Sequence, residues 1–207
     1  MTYPIRILGN QVVLHEFSLE DVDDVLAIIG DDKVTTWLSF DSRNRDQAVA
    51  MIEGALERAQ QEPRTEFYFG VTKRDGDRVI GFARIGLSGV QAGKLGYAIA
   101  ATEWGRSYAT DAARALVTYA FKEIGLHRIT AAIGSDNAAS IAVVQQLGFA
   151  ARACCATTSS PTERGATACC SPFSPTSGAG DGWTARSLRQ QNQAHREPGR
   201  RAECSDA

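Results

Sequence analysis

The sequence predicts one α/β domain, and three observations support this prediction. Up to residue 150, short stretches with strand-like patterns alternate with longer stretches whose apolar residues recur at helical spacing. The chain has 207 residues, of which 43% are apolar, so it is long enough to bury its own core. A "RDGD" turn joins two apolar runs, "EFYFGVTK" and "RVIGFARIGL", as expected for a β-hairpin.

The first elements follow in order from these patterns. "IRILGNQVVLHEF" is read as an opening strand. Ser18 and Asp21 then form a capping-box-like start for a helix, which carries Val22, Val25, Leu26 and Ile29 on one face. A second helix fits "RDQAVAMIEGALERAQQ", because its apolar residues also recur at helical spacing.

The remaining elements come after the hairpin. "KLGYAIA" is a strand, Tyr108 to Ile124 a helix closed by Gly125, and "RITAAIG" another strand. A last helix runs from Ala138 to Leu147 and is closed by Gly148.

Charge and hydropathy exclude several classes of partner. The net charge is −2 and the isoelectric point about 5.9, so we expect no binding to nucleic acid or to an anionic membrane surface. No apolar run approaches the roughly 20 residues of a membrane span, and "MTYPIRILGNQ" lacks the pattern of a secretion signal. We therefore expect a cytoplasmic protein.

The stretch "WGRSYAT" lies where a strand ends and a long helix begins. The first N–H groups of a helix have no intrahelical partner, and the helix dipole favours an anion there. Gly105, Ser107 and Ala109 are small enough to admit a phosphate, and Arg106 adds a positive charge. The alternative is a turn that merely contains small residues. Neither G-x-G-x-x-G nor G-K-[ST] is present, so the usual nucleotide fingerprints are not met.

From about Ile5 to Phe149, and most strongly from Leu95 onward, the sequence resembles the GNAT superfamily of N-acetyltransferases, especially the branch that includes ribosomal-protein N-terminal acetyltransferases. The residues from Leu95 are "LGYAIAATEWGRSYATDAARALVTYAFKEIGLHRITAAIGSDNAASIAVVQQLGF". The resemblance implies a mixed sheet whose central parallel strands splay apart to hold pantetheine. It also implies transfer of an acetyl group from acetyl-CoA to a primary amine, on a protein N-terminus or a small molecule, by direct attack through a tetrahedral intermediate.

The resemblance also assigns cofactor-binding residues by position. The loop and helix start would hold the pyrophosphate, the strand backbone would bind the pantetheine and the acetyl carbonyl, and Asn137 would bond the pantetheine arm. The positions concerned are Gly105, Arg106, Ser107, Tyr108, Ala109 and Thr110 in the loop, and Tyr97, Ala98, Ile99 and Ala100 in the strand. The family prefers glycine at the position of Ser107, so weaker cofactor binding follows if that position has a positive φ.

Ser140 is the predicted general acid, because the tyrosine that relatives carry one turn later is replaced by Val144. Asn137 and Ser140 are also ordinary residues for a helix start. A general base is not evident: Glu16, Asp41 and Glu103 are the candidates, and each is equally a solvated surface charge.

Trp37 and Phe40 are the predicted acceptor-binding residues, in the loop after the first helix. They would wall an amine pocket, or they would simply pack that helix onto the sheet. No metal ligand set is predicted.

Residues 151–207 differ from the rest in composition. They contain one leucine, no valine or isoleucine, and all five cysteines. Such a segment buries too little apolar surface to offset its ordering entropy, so we predict a domain boundary near Ala150 followed by a disordered tail. Adjacent cysteines do not match zinc-site spacing, and disulfides are rare in a cytosolic chain.

The family places two further strands after "LGF", and this sequence shows no pattern for them, so we expect a sheet without its last two strands. A shifted reading frame would account for the tail: each Cys-Cys pair then spells leucine, and "EGVLRDHVFTDGAWRD" can follow Ala150. A C-terminal hairpin takes part in pairing in this family, so a homodimer is compatible with the resemblance. The alternatives to an active enzyme are a non-catalytic acyl-CoA-binding protein and an inactive truncated remnant.

Overall fold

The computed structural model describes residues 3–150 and 166–171. Its strands are β1 (Arg6–Leu8), β2 (Val12–Glu16), β3 (Glu66–Lys73), β4 (Val79–Leu87), β5 (Ala92–Ile99), β6 (Arg128–Gly134) and β7 (Ala166–Ser171). Its helices are α1 (Val22–Ile29), α2 (Asp32–Thr35), α3 (Arg45–Ala59), α4 (Tyr108–Lys122) and α5 (Ala138–Gln146). None of the helices described is long and apolar enough to cross a bilayer.

The strands form one sheet in the order in which they occur along the chain. Every neighbouring pair is antiparallel except β5 and β6, which run parallel and are joined by α4. The predicted α/β class with a mixed sheet and a central parallel pair is therefore confirmed.

The sheet has an apolar cluster on each face. On one face α4 and α5 pack on the strands, and the core there includes Leu14, Phe69, Ile85 and Leu116. On the other face α1 and α3 pack on the strands around Tyr68, Phe82 and Ala98. Because side chains alternate along a strand, β5 sends Leu95, Tyr97 and Ile99 to the first face and Ala98 to the second.

The opening segment is a hairpin, which corrects the prediction of one strand over "IRILGNQVVLHEF". The chain turns between Leu8 and Val12, where the Gly9 N–H bonds the Val12 carbonyl at 2.8 Å. The Asp111 carboxylate of α4 accepts hydrogen bonds from the backbone N–H groups of Asn10, Gln11 and Val12, at 3.1, 2.7 and 3.2 Å. A Gly-Asn pair between apolar runs is itself a hairpin signal.

The predicted helix boundaries agree with the structure. Ser18 and Asp21 form the expected capping box, which opens a short 3₁₀ turn ahead of α1. Gly125 and Gly148, after α4 and α5, have φ of +76° and +82°, as glycines that end helices do. The short α2 was not predicted; Asp31 caps it by accepting a hydrogen bond from the Lys33 N–H.

One strand follows residue 150, so the expectation of a sheet without its last two strands is wrong for one of them. β7 pairs antiparallel with β6, from Ile129 opposite Ser171 to Gly134 opposite Ala166. An unpaired edge of β6 would present N–H and C=O groups, and another extended segment can pair with them through its backbone. The side-chain composition of the tail therefore did not predict this pairing. The tail from Ala151 otherwise lies outside the described residues, and the boundary near Ala150 stays a prediction.

Candidate active site

The two parallel strands pair over only part of their length. The last paired residues are Leu95 of β5 and Ala131 of β6, although the strands continue to Ile99 and Gly134. β5 remains paired with β4 as far as Ile99, so it is β6 that diverges. The result is a wedge-shaped gap, closed at Leu95 and open toward the start of α4, as the family resemblance implied.

Alternate residues of β5 direct their backbone groups into this gap. The Ala100 N–H bonds the Ile80 carbonyl of β4 at 2.8 Å, so Ala98, which has the same parity, also faces β4. Tyr97 and Ile99 therefore turn their backbone N–H and C=O groups toward β6. Of the four strand residues predicted to bind the cofactor, these two present their backbone to the gap.

The loop after β5 contains two residues in the left-handed region. Gly105 has φ of +77° and Ser107 has φ of +62°, and Ser107 is the N-cap residue of α4. A Cβ at Gly105 would have nothing within 4 Å, so the space around it is open. The Ser107 side chain makes no capping hydrogen bond, and the first N–H groups of α4 have no intrahelical partner. The serine thus occupies a conformation that favours glycine.

Side chains around this loop hold it against the sheet. Trp104 donates from Nε1 to the Ile99 carbonyl at 2.7 Å, although its side chain is about half exposed. The Glu103 carboxylate pairs with Lys73 Nζ at 2.7 Å and with an Arg106 nitrogen at 3.1 Å. Lys73 also lies over the Tyr108 ring, 5.8 Å from its centre. Two cations therefore lie near the helix start, and Glu103 pairs with both.

The start of α5 reaches back to β5. The Asn137 side chain accepts a hydrogen bond from the Ser140 N–H at 3.0 Å, so Asn137 caps the helix as its residue type favours. The Tyr97 hydroxyl donates to the Ser140 carbonyl at 3.1 Å. Tyr97 therefore links β5 to the first turn of α5 and fixes Ser140, which is half-buried, relative to the gap.

The other loop residues lie at the α4 end of the gap. Tyr108 and Ala109 are half-buried against the first apolar cluster. Thr110 is buried, with its hydroxyl 3.5 Å from the Gln146 side-chain oxygen of α5.

Trp37 and Phe40 lie on the other face of the sheet. Phe40 packs against the cluster that includes Ala98, and the Arg43 guanidinium lies 4.0 Å from the centre of its ring. Trp37 is 47% exposed. Phe40 thus packs as the structural alternative predicted, and an acceptor-binding role for either residue stays a prediction.

Two of the three candidate bases are held in ion pairs. Glu16 is buried and pairs with Arg64 at 2.7 Å, and Glu103 pairs with Lys73 and Arg106. Asp41 is exposed in the loop before α3.

Sequence reasoning missed the Tyr97 hydroxyl bond, the Trp104 anchor and the role of Asp111. All three are contacts between residues that are brought together by folding. The contacts of Tyr97 and Trp104 leave no pattern in the neighbouring sequence that would predict them. Asp111 was detectable in principle, because it lies among alanines on the buried face of a predicted helix. Among the described residues, no group of three or more His, Cys, Asp or Glu side chains could hold a metal ion.

The match to a protein family covers most of the described chain. Residues 11–150 match the family model described as "Acetyltransferase (GNAT) domain". The uncharacterized N-acetyltransferase YoaA of Bacillus subtilis is 27% identical over 145 residues, which cover 68% of this chain and 80% of YoaA.

Solved structures share the fold. RimJ of Mycobacterium smegmatis, in complex with CoA-disulfide, has a TM-score of 0.63 and 21% identity, over 72% of this chain and 78% of RimJ. The microcin C7 self-immunity acetyltransferase MccE, in complex with acetyl-CoA and AMP, has a TM-score of 0.59 and 18% identity, over 70% of this chain and 81% of MccE.

Proposed function

The chain belongs to the GNAT family of acetyltransferases, which use acetyl-CoA, and we propose that it acetylates a primary amine on a protein N-terminus or a small molecule. The observation that carries this proposal is the gap between β5 and β6, which opens beyond Leu95 and Ala131 toward an uncapped helix start. A slot lined by strand backbone, leading to a site for phosphate, suits a long polar ligand with a charged end.

The pyrophosphate of acetyl-CoA would lie on the backbone of Gly105 to Thr110, where the helix dipole and Arg106 favour an anion. The pantetheine would then extend along the edge of β5, bonded to backbone groups of Tyr97 and Ile99, with Asn137 on the opposite side. In this orientation the thioester lies toward the closed end of the gap, by Gly96 and Tyr97. The open space around Gly105 and the half-buried helix start support this placement.

In the proposed reaction the neutral amine attacks the thioester carbonyl carbon directly, and no enzyme nucleophile takes part. A C–N bond forms, the carbonyl oxygen becomes an oxyanion, and a backbone N–H of Tyr97 or Ile99 stabilises it. Collapse of the intermediate breaks the C–S bond, and the Ser140 hydroxyl donates a proton to the departing thiolate. Tyr97 positions Ser140 through its hydrogen bond to the Ser140 carbonyl.

An alkyl ammonium group has a pKa of about 10, so the amine must lose a first proton to become the neutral nucleophile. After the C–N bond has formed, the nitrogen loses a second proton, and this balances the proton that Ser140 gives to the thiolate. Because Glu16 and Glu103 are ion-paired and Asp41 is exposed, we propose that water carries the first proton to solvent and the second one to the Ser140 oxygen. Such a route makes the rate rise with pH as more of the amine becomes neutral.

The test measures acetyl-CoA-dependent release of CoA thiol with a panel of peptides and small amines. We expect turnover with at least one amine, and a fall in kcat of about 100-fold in Ser140→Ala, as removal of a general acid predicts. Ser88→Ala is the control, since Ser88 is exposed in the turn before β5. Binding of acetyl-CoA without CoA release for any amine would instead support the non-catalytic acyl-CoA-binding alternative.

We further propose that the tail after Ala150 is the family's C-terminal hairpin in a shifted reading frame. The support is compositional: the cysteine pairs lie where leucines are expected, and the match to the family ends at residue 150. Nucleotide sequencing across the codons for Gln145 to Trp183 tests this proposal. A missed or extra base would restore an apolar hairpin suited to a homodimer, whereas a confirmed frame would refute it.

A further inference from the structure

The face of the sheet opposite α4 carries a group of basic side chains beside the closed end of the gap. Arg84 of β4 pairs with Gly96, the first residue of β5 beyond the paired region. A Cβ at Gly96 would lie 3.2 Å from the Arg84 Nε, so the guanidinium group crosses this residue directly. Arg84 has the same parity as Phe82 and therefore lies on the α1/α3 face.

Beside Gly96, two arginines share one carboxylate. Glu66 pairs with Arg58 at 2.5 Å and with Arg84 at 3.0 Å, so one carboxylate serves two guanidinium groups. Arg43 lies over Phe40 and has no ion pair among the described residues. Lys94, two residues before Gly96 on the same face of β5, is exposed.

The buried Tyr68 phenol lies within reach of these charges. Desolvation raises its pKa, so the group stays neutral, and the charges that act on it most are Arg84, Glu66, Arg43 and Arg58. Three arginines and one glutamate therefore act on this phenol. The Arg84 side chain is 49% exposed, which leaves a guanidinium edge open to a ligand.

We propose that the amine acceptor carries a carboxylate close to its amine, and that this carboxylate binds a basic surface formed by Arg43, Arg84 and Lys94. This inference rests on the proposed acetyl transfer, because it needs the thioester near Gly96. With the pyrophosphate at the start of α4, as proposed above, the cofactor would lie on the α4/α5 side of the gap. The acceptor would then reach the same carbon from the α1/α3 side, next to Arg84. Guanidinium groups bind carboxylates through paired, charge-assisted hydrogen bonds, which makes a carboxylate the preferred ligand.

Two sources supply this chemistry: a peptide with an acidic residue near its N-terminus, and a free amino acid. The experiment compares matched acceptors in the CoA-release assay with the full chain. One pair is a peptide beginning Ser-Glu against the same peptide beginning Ser-Gln, and the other is an amino acid against its amide. We expect kcat/KM to be about tenfold higher for the carboxylate in at least one pair, and the pair that responds identifies the source.

Variants separate a specific contact from general charge. In Arg84→Gln the ratio of kcat/KM for the carboxylate acceptor to kcat/KM for its neutral partner should fall from about tenfold to below about threefold. Arg84→Lys should retain a larger part of this ratio. Arg114→Gln is the matched control, because Arg114 is an exposed arginine on α4 and should leave the ratio unchanged. If Arg84→Gln does not fold, Arg43→Gln provides the same test, because removal of the Arg43 guanidinium breaks no ion pair among the described residues.

The outcomes distinguish this inference from the proposed function. CoA release with ratios near one, or with a preference for the neutral acceptor, overturns the carboxylate inference and leaves acetyl transfer standing. An unchanged ratio in both Arg84→Gln and Arg43→Gln also overturns it. No CoA release with any acceptor overturns the proposed function, and the inference falls with it.

Discussion

Replacing Ser107 by glycine should stabilise the protein, because Ser107 has φ of +62° at the start of α4. A non-glycine residue in the left-handed region costs about 1–2 kcal/mol. About 0.5–1 kcal/mol of this stabilisation is lost again, because glycine gives the unfolded chain more conformational freedom. The serine hydroxyl makes no capping bond that would be lost. The net expectation is a free energy of unfolding higher by about 0.5–1 kcal/mol.

Urea unfolding followed by circular dichroism measures this change, and the melting temperature should rise by about 2 °C. Ser107→Ala is the first control: it keeps the Cβ and should give no gain. Gln91→Gly is the second control, because Gln91 also has a positive φ, +51°, but lies in the turn before β5 at the far end of the gap. Gln91→Gly should therefore stabilise to a similar extent.

Acetyl-CoA affinity should change by less than about threefold in Ser107→Gly, which corresponds to about 0.7 kcal/mol. The left-handed conformation is already present without ligand, so relief of strain acts equally on the free and bound forms. We therefore expect serine to leave cofactor binding nearly unchanged, whereas the sequence suggested weaker binding at a positive φ. Unchanged stability together with a tenfold gain in affinity would refute it, because the strain would then arise only on binding.

Two further changes test how the gap is built. Gly81→Ala should lower the free energy of unfolding in urea by about 1–3 kcal/mol and weaken acetyl-CoA binding, because the new Cβ would collide with the Ile99 side chain of β5. Gly86→Ala is the control, since a Cβ there has nothing within 4 Å, and it should change neither quantity. Asp111→Ala should lower the free energy of unfolding by about 3 kcal/mol, since three backbone N–H groups lose the buried carboxylate that accepts their hydrogen bonds. Asp46→Ala, at an exposed position, should lower it by less than about 1 kcal/mol. Equal effects of the two changes would contradict the role given to Asp111.

Local signals predicted most of the fold because they act within a few residues. The capping box of Ser18, the hairpin turn before β4 and the glycines after α4 and α5 each satisfy backbone groups nearby, so their positions are written in the sequence. The same reasoning failed at the opening strand, where a Gly-Asn pair was read as part of one strand. It also failed for β7, whose pairing needs only backbone groups.

The site was predictable in position and not in detail. The order of strand, loop and helix located the gap and the helix start, and the resemblance assigned residues to them. Which backbone groups enter the gap depends on the register of β4 against β5, and no single segment encodes a register. The link from Tyr97 to Ser140 and the ion pairs of Glu103 likewise join segments that are distant in sequence.

The alternation of β5 would allow one strand to serve both proposed substrates. Tyr97 and Ile99 direct their side chains to the α4/α5 face and their backbone groups into the gap, while Ala98 uses its backbone to hold β4. A ligand can therefore bond the strand edge without separating β5 from the sheet. On the α1/α3 face the same stretch presents only Gly96 and Ala98, so an acceptor meets small residues beside Arg84. The proposed carboxylate contact follows from that geometry, because Arg84 is the first charged side chain next to the carbon that the amine must reach.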